Sequence, residues 1–172
     1  RQRGFPAIAI CDRNGLYGTV QFAAACREQG VQPIVGALLG IAREEDGRQV
    51  DYLPLYAQDE AGWANLCHLV SRAHLERPLE LEPHVRLADL VGHTDGLIAL
   101  TGASEGAVAR LYAGGRNAAA ADYVEQLIGL FSGRLYVELA RRGDPAEEAA
   151  EDALIELAYA RDLPLVATNP AN

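Results

Sequence analysis

The sequence predicts an α/β fold in which a mostly parallel sheet or barrel is covered by helices. Three observations predict it. Short apolar runs alternate with segments of helical periodicity almost from end to end. The breaks between them fall on Gly, Pro, Asn and Asp, the residues that punctuate strands and helices. No internal repeat, low-complexity tract or long linker interrupts the 172 residues, so residues 1–172 are expected to form one domain. At that length about 70% of the unfolded chain's surface can be buried, which suffices for a real core.

The elements follow in order. Phe5–Cys11 is a short apolar run stopped by Asp12-Arg13-Asn14-Gly15, a buried-strand pattern. Thr19–Gln29 reads as a helix with Gly30 as its C-terminal stop. Val31–Ala42 and Tyr52–Ala57 are apolar runs on either side of Asp46-Gly47, a favoured hairpin turn, so these two strands are expected to pair directly. Glu44-Glu45-Asp46 then forms a solvated tip. Asp59 caps a long helix whose apolar set is Trp63, Leu66, Cys67, Val70 and Ala73. Pro78 to Pro83 break the pattern, and Gly96–Leu100 is a further strand. Helices are predicted near Glu105–Tyr112 and over Asn117–Phe131, the second burying Ala120, Val124, Leu127, Ile128 and Phe131. Arg134–Leu139 is a strand. Asp144-Pro145 opens a helix that turns Ala150, Ala153, Leu154, Leu157 and Ala158 inward, with Glu147, Glu148 and Glu151 near its positive end. Leu163–Thr168 is the last strand.

Composition excludes several functions. There is no run of about 18 apolar residues, so no membrane-spanning helix is predicted, and no charged-then-apolar leader opens the chain. The net charge is −9, the wrong sign for gripping phosphate, so little direct contact with nucleic acid is expected. Lysine is absent and all 15 basic residues are arginine, which removes both the Walker-type phosphate loop and Schiff-base chemistry. No Gly-x-Gly occurs, so the dinucleotide fingerprint is missing. Cys11, Cys26 and Cys67 are too scattered for a zinc knuckle or a disulfide framework and read as reduced core residues of a cytoplasmic protein. Methionine is absent too, and the chain is expected to be internal to a longer one.

Sites in such folds gather at the C-terminal ends of strands. Those ends are Cys11-Asp12-Arg13, Gly36-Ala37-Leu38, Thr101-Gly102-Ala103 and Thr168-Asn169-Pro170, a set with Asp12 as its only acid and no histidine. His68 and His74 are about 240° apart around one helix, unlike the i, i+4 spacing of a helical metal pair, and His84 and His93 fall in loops. All four are expected in surface or capping roles. Gly102-Ala103-Ser104-Glu105-Gly106 matches the Gly-x-Ser-x-Gly nucleophile elbow, but no histidine follows Ser104 to serve as its base. Ser104 is therefore expected to cap the helix that follows.

The strings GFPAIAICDRNGLYG, VQPIVGALLGIA, GWANLCHLVSRAHLE, GLIALTGAS, LYVELARRG and PLVATNPAN together resemble the polymerase-and-histidinol-phosphatase (PHP) domain at the start of bacterial DNA polymerase III alpha subunits. The resemblance implies an irregular (β/α)7-type barrel whose first β/α unit, with its His-x-His pair, would precede Arg1. In metal-binding members of that family, side chains at the strand ends hold a cluster of metal ions. Here the family's Thr-Asp-His stands as Cys11-Asp12-Arg13, and its Gly-Cys-Glu as Gly36-Ala37-Leu38. The histidine opening the next strand aligns with Tyr52, the cysteine of Ser-Gly-Cys with Ala103, and the closing Asp-x-His with Pro170-Ala171-Asn172. Arg, Leu, Ala and Pro offer no donor to a cation, and Asp12 with Glu138 cannot replace the lost set.

The resemblance thus implies a PHP domain without metal, cofactor or phosphoesterase chemistry of its own, in a chain that elsewhere extends DNA in a magnesium-dependent reaction. Its implied role is to support the other polymerase domains and to dock the epsilon proofreading exonuclease subunit. The alternatives are the error-prone alpha-subunit paralogue, disfavoured by GALLGIA and the Trp63–Glu76 match, and an active metal-dependent 3′-exonuclease or phosphoesterase, disfavoured by the ligand inventory. Arg13 is expected to pair with Asp12 or another nearby acid in place of an ion.

Overall fold

The alternation of apolar runs and amphipathic segments folds as seven strands and five α-helices among the described residues of the computed structural model, 4–43 and 49–168. In chain order they are β1 (Ala7–Arg13), α1 (Thr19–Glu28), β2 (Gln32–Ala42), β3 (Val50–Ala57), α2 (Glu60–Leu75), β4 (Val85–Arg86), β5 (Leu97–Leu100), α3 (Ala107–Ala113), α4 (Asn117–Leu130), β6 (Leu135–Leu139), α5 (Pro145–Ala160) and β7 (Leu165–Ala167). Short 3-10 turns lie at Leu87–Leu90 and Ala103–Glu105.

The sheet order is β1-β2-β3-β5-β6-β7, with β4 beside the end of β2, and the sheet curls into part of a barrel. Pairs β1·β2, β5·β6 and β6·β7 are parallel. β3 runs against both its neighbours, because a short connection returns the chain directly alongside β2. The parallel character is therefore interrupted at the centre by the pairing that the Val31–Ala42 and Tyr52–Ala57 runs predicted. Asp46-Gly47 and the Glu44-Glu45-Asp46 tip lie outside the described residues; the Arg43 amide donates to the Gln49 carbonyl at 3.2 Å across that gap.

Register sorts the side chains of β1–β3 onto two faces, since directly paired residues share a face and neighbours alternate. Ala37, Leu39, Ile41, Leu53 and Leu55 point one way and are buried under the helices. Cys11, Arg13, Gly36, Leu38, Gly40, Tyr52 and Tyr56 point the other way, into the concave side. β2 runs on to Ala42, as the Val31–Ala42 run predicted, because β3 and β4 both keep pairing with it there, so Gly36-Ala37-Leu38 lies within the strand and not at its C-terminal end.

The helix signals hold with local corrections. Gly30, at φ +63, closes α1: its amide reaches the Arg27 carbonyl and that of Val31 the Cys26 carbonyl, satisfying the last turn. Asp59 accepts from the Gly62 amide at 2.8 Å, and Asp144 from that of Ala146 at 2.9 Å. The buried face of α2 is Gly62, Leu66, Leu69 and Ala73 rather than one centred on Trp63, which is 41% exposed. Gly62 sets that rotation by packing on the Gly96 backbone, so the helix approaches β5 along its smallest residue. α4 buries Ala120, Tyr123, Val124, Leu127 and Phe131, with Ile128 at the margin, and α5 buries Ala150, Leu154, Leu157 and Ala158, with Ala153 half-buried. No helix of the described residues is long and apolar enough to cross a membrane.

Candidate functional site

The concave mouth of the sheet is built by the C-terminal end of β1, the extended β2–β3 pair, the Thr101–Gly106 connection and the end of β6. At its centre is Arg13, the last residue of β1. Its guanidinium carbon sits 4.1 Å from the centroid of the Tyr52 ring, and its Nη2 donates to Glu105 in the 3-10 turn after β5. Tyr52 itself is buried on β3 and donates its hydroxyl to Glu82. Arg13 therefore does find an acid, but Glu105 and not Asp12.

Asp12 faces the other way. One residue along β1 reverses the side chain, and its Oδ2 accepts from the Gly18 amide at 2.9 Å, at the start of α1. The single acid of the strand-end set is thus committed to the β1–α1 turn on the helix side. Cys11, on Arg13's side of the strand, lies beside Tyr56, and burial pushes its thiol up to about 12. The same desolvation, with Cys11 beside it, raises the Tyr56 phenol.

Glu138 on β6 is the buried carboxylate of the mouth. Its Oε1 accepts from the Thr168 hydroxyl at 2.5 Å and its Oε2 from the Gly102 amide at 3.1 Å. Its own amide donates to Thr101 Oγ1 at 2.9 Å, which ties β6 to the end of β5. Burial raises its pKa above the ordinary glutamate value, and the two donors only partly oppose that. Gly102 can present its amide there because it adopts φ +90, and an added Cβ would lie 2.3 Å from the Tyr52 carbonyl.

Among the described residues, the other predicted positions Leu38 and Ala103 offer no donor. Leu38 pairs with Arg13 across the β1–β2 ladder and is half-buried, and Ala103 is buried at φ +43. Pro170 and Asn172, with Ala171 and Asn169, lie outside the described residues. Among the described residues no three His, Cys, Asp or Glu side chains converge. The metal cluster that the resemblance brings to mind does not fit this donor set: Glu105 is engaged by a guanidinium, Glu82 by a phenol, and Asp12 is on the far face.

Ser104 does not cap the helix that follows, contrary to expectation. It lies inside the 3-10 turn, and no side chain caps that turn or α3. Its Oγ instead donates to Glu147 Oε1 at 3.3 Å and accepts from Arg142 Nη2 at 3.1 Å. Glu147 is accordingly buried against Arg142 instead of serving only the helix dipole. Two of the four histidines meet, and the other two lie against backbone carbonyls. His74 Nε2 lies 2.7 Å from the Asn14 carbonyl, His84 Nδ1 lies 2.7 Å from the Glu82 carbonyl, and His68 stacks on His93 with centroids 4.0 Å apart.

Sequence reasoning missed Asp51. It is 1% exposed on β3 and accepts from Arg43 Nε at 2.7 Å and Arg110 Nη1 at 2.9 Å. Arg110 also donates to the Ser104 carbonyl at 3.1 Å, so the ion triad around the buried Asp51 positions the turn that carries Glu105. The available signal was an aspartate inside an apolar strand, where that residue is depleted.

A family model described as the PHP domain matches residues 1–142. The DNA polymerase III subunit alpha of Caulobacter vibrioides is 38% identical over 169 residues, covering 95% of this chain and 15% of that protein. The same subunit of Escherichia coli K12 is 36% identical over 166 residues, covering 96% of this chain and 14% of that protein. An error-prone DNA polymerase of Symbiobacterium thermophilum is 36% identical over 181 residues, 96% of this chain and 16% of that protein. The chain thus spans about one-seventh of the length of these relatives. A crystal structure from Bifidobacterium adolescentis, provisionally called a metal-dependent phosphoesterase, superposes with a TM-score of 0.58 at 12% identity, over 97% of this chain and 77% of that one.

Proposed function

The chain belongs to the PHP domain family, and from that premise we propose that it is the metal-free, catalytically silent PHP domain of a DNA polymerase III alpha subunit. The parent protein would be a cytoplasmic DNA-directed DNA polymerase, with its nucleotidyl-transfer carboxylates and their magnesium outside these 172 residues. This domain would support the remaining polymerase domains of the same chain and dock the epsilon proofreading exonuclease. The net charge of −9 suits protein contact better than phosphate contact.

The observation that carries the reading is the state of the mouth. Arg13, Leu38, Tyr52 and Ala103, the described positions where the family would place ligands, supply one guanidinium, one engaged phenol and two hydrocarbon side chains. Water activation by a metal cluster needs several oxygen, imidazole or thiolate ligands that converge, and these residues provide none. The test is elemental analysis of protein purified without chelator, beside an assay for release of phosphate or nucleotides from DNA 3′ ends. Less than one bound transition-metal ion per chain and no hydrolysis are expected; two or more tightly held zinc or manganese ions would overturn the silent reading. Co-elution with purified epsilon tests docking separately.

The error-prone paralogue remains the second reading, because the Symbiobacterium thermophilum relative is 36% identical over 96% of this chain. The replicative reading is preferred on the GALLGIA run and the Trp63–Glu76 segment.

A further inference from the structure

The silent reading leaves one arrangement unused: Arg13, Tyr52, Glu105 and Glu82, drawn together from β1, β3, the turn after β5 and the loop before β4. Two carboxylates meet this corner. Between them lie a guanidinium and a buried aromatic ring in stacking contact, the guanidinium taking Glu105 and the ring's hydroxyl donating to Glu82. An ordinary surface ion pair would contribute little at this exposure, since the Arg13 side chain is 49% exposed. Here the same cation also covers the face of a ring that is itself buried, and a planar, weakly hydrated guanidinium is suited to do both at once.

The turn that Glu105 belongs to needs such a hold. Gly102 and Ala103 both have positive φ, a costly conformation for alanine that persists only where the surroundings enforce it. From one side the enforcement comes through Arg110 on the Ser104 carbonyl, and from the mouth it comes through Arg13 on Glu105.

Resting on the silent reading, we infer that Arg13 is a tethered cation: a positioning residue whose fixed positive charge organises Glu105 and Tyr52 and locks the Thr101–Gly106 turn onto β1 and β3, so that the mouth keeps its shape without a free ion. Lysine at this position would keep the charge but lose the planar stacking on Tyr52.

Hydrogen exchange measured by mass spectrometry in the intact protein tests this. Arg13→Ala and Glu105→Gln should each speed exchange of amides 101–106 and 50–56 by about tenfold, and the double variant should add little, because both remove the same contact. Arg13→Lys should fall between. Millimolar guanidinium should restore protection to Arg13→Ala but not to Arg13→Ala/Glu105→Gln, a rescue that a merely packing role for the side chain would not give. Wild-type exchange in both single variants, in protein that carries no metal, would overturn the tethered cation and leave the silent reading standing. Tightly bound zinc or manganese in the wild type would instead overturn the silent reading, and this inference with it.

Discussion

Asp51 and Arg110 lie 59 residues apart in sequence and 2.9 Å apart in space, and the carboxylate between Arg110 and Arg43 is buried at the junction of β3 and α3. Neither guanidinium can follow it wholly out to water: the Arg43 side chain is 12% exposed and that of Arg110 36%. Asp51→Asn keeps the shape and removes the charge, leaving two partly buried cations side by side. We expect a loss of about 2–4 kcal/mol, below the upper range for buried pairs because Arg110 is partly solvated. Urea unfolding followed through Trp63, the sole tryptophan, measures it. A loss under about 0.5 kcal/mol would mean the triad is a surface feature.

Two glycine-to-alanine substitutions in helices should act with opposite signs. A Cβ on Gly62 of α2 would lie 1.9 Å from the Gly96 carbonyl oxygen, backbone that cannot swing aside, whereas Gly129 of α4 has nothing within 4 Å. Alanine favours a helix over glycine by about 1 kcal/mol. Gly129→Ala is therefore expected to raise stability by about 0.5–1 kcal/mol, and Gly62→Ala to lower it by about 2 kcal/mol or more as α2 is pushed off β5. Thermal melts of the two variants side by side decide it.

Glu138→Gln should change the pH dependence of stability. Burial raises the wild-type carboxyl above its ordinary value, so the folded protein holds that proton more tightly than the unfolded chain. The stability tied to this group is full below the ordinary glutamate pKa and declines as pH rises through the folded value. Glutamine has no proton to lose, and Thr168 can turn its hydroxyl to accept from the new amide while Gly102 still donates. The melting-temperature difference should shift in favour of Glu138→Gln between about pH 4 and pH 7. A difference that stays constant over that range would show that the carboxyl is not perturbed.

Cys11 should resist alkylation although it is only half-buried. With its thiol pushed up to about 12, the thiolate fraction at pH 8 falls some three orders of magnitude below that of a free cysteine. The greater nucleophilicity of the more basic thiolate recovers about half of that loss on a logarithmic scale. Iodoacetamide labelling read by peptide mapping is expected to proceed about fiftyfold more slowly at Cys11 than at a model thiol. Equal rates would place Cys11 in water.

Most of the fold was legible because its signals are local. Asp59, Asp144 and Gly30 end helices through contacts within a few residues, and the apolar runs of β2 and β3 predicted their pairing. What escaped depended on register and distant contacts. The burial of Leu69 in place of Trp63 follows from where Gly62 meets Gly96, which periodicity alone does not report. Ser104 looked like a cap because its turn precedes α3, yet its hydroxyl is drawn to Arg142 in the connection after β6 and to Glu147 in the first turn of α5. At the mouth, the residue types at Arg13, Leu38 and Ala103 could be read directly. That Asp12 points away from them, and that Glu105 is Arg13's partner, needed the β1–β2 register and the path of the chain after β5.

That register sets the last expectation, for Arg13→His. Histidine at the end of β1 would place one imidazole on the concave face, beside Leu38 and the Tyr52 ring. Glu105 would be released from its guanidinium, and Glu138 would remain held by Thr168 and Gly102. One imidazole and one freed carboxylate make two ligands, and Cys11 on the same face is kept a thiol by burial, whereas tight zinc or manganese sites use three or more protein donors in fixed geometry. Asp12 cannot join them, because a strand's two-residue period keeps it on the helix side with Gly18. Calorimetric titration of Arg13→His with manganese is therefore expected to show no binding tighter than about millimolar, and its melting temperature should not respond to chelator. Micromolar manganese uptake by this single variant would mean that the donor set at the mouth is richer than Glu105 and Glu138 suggest.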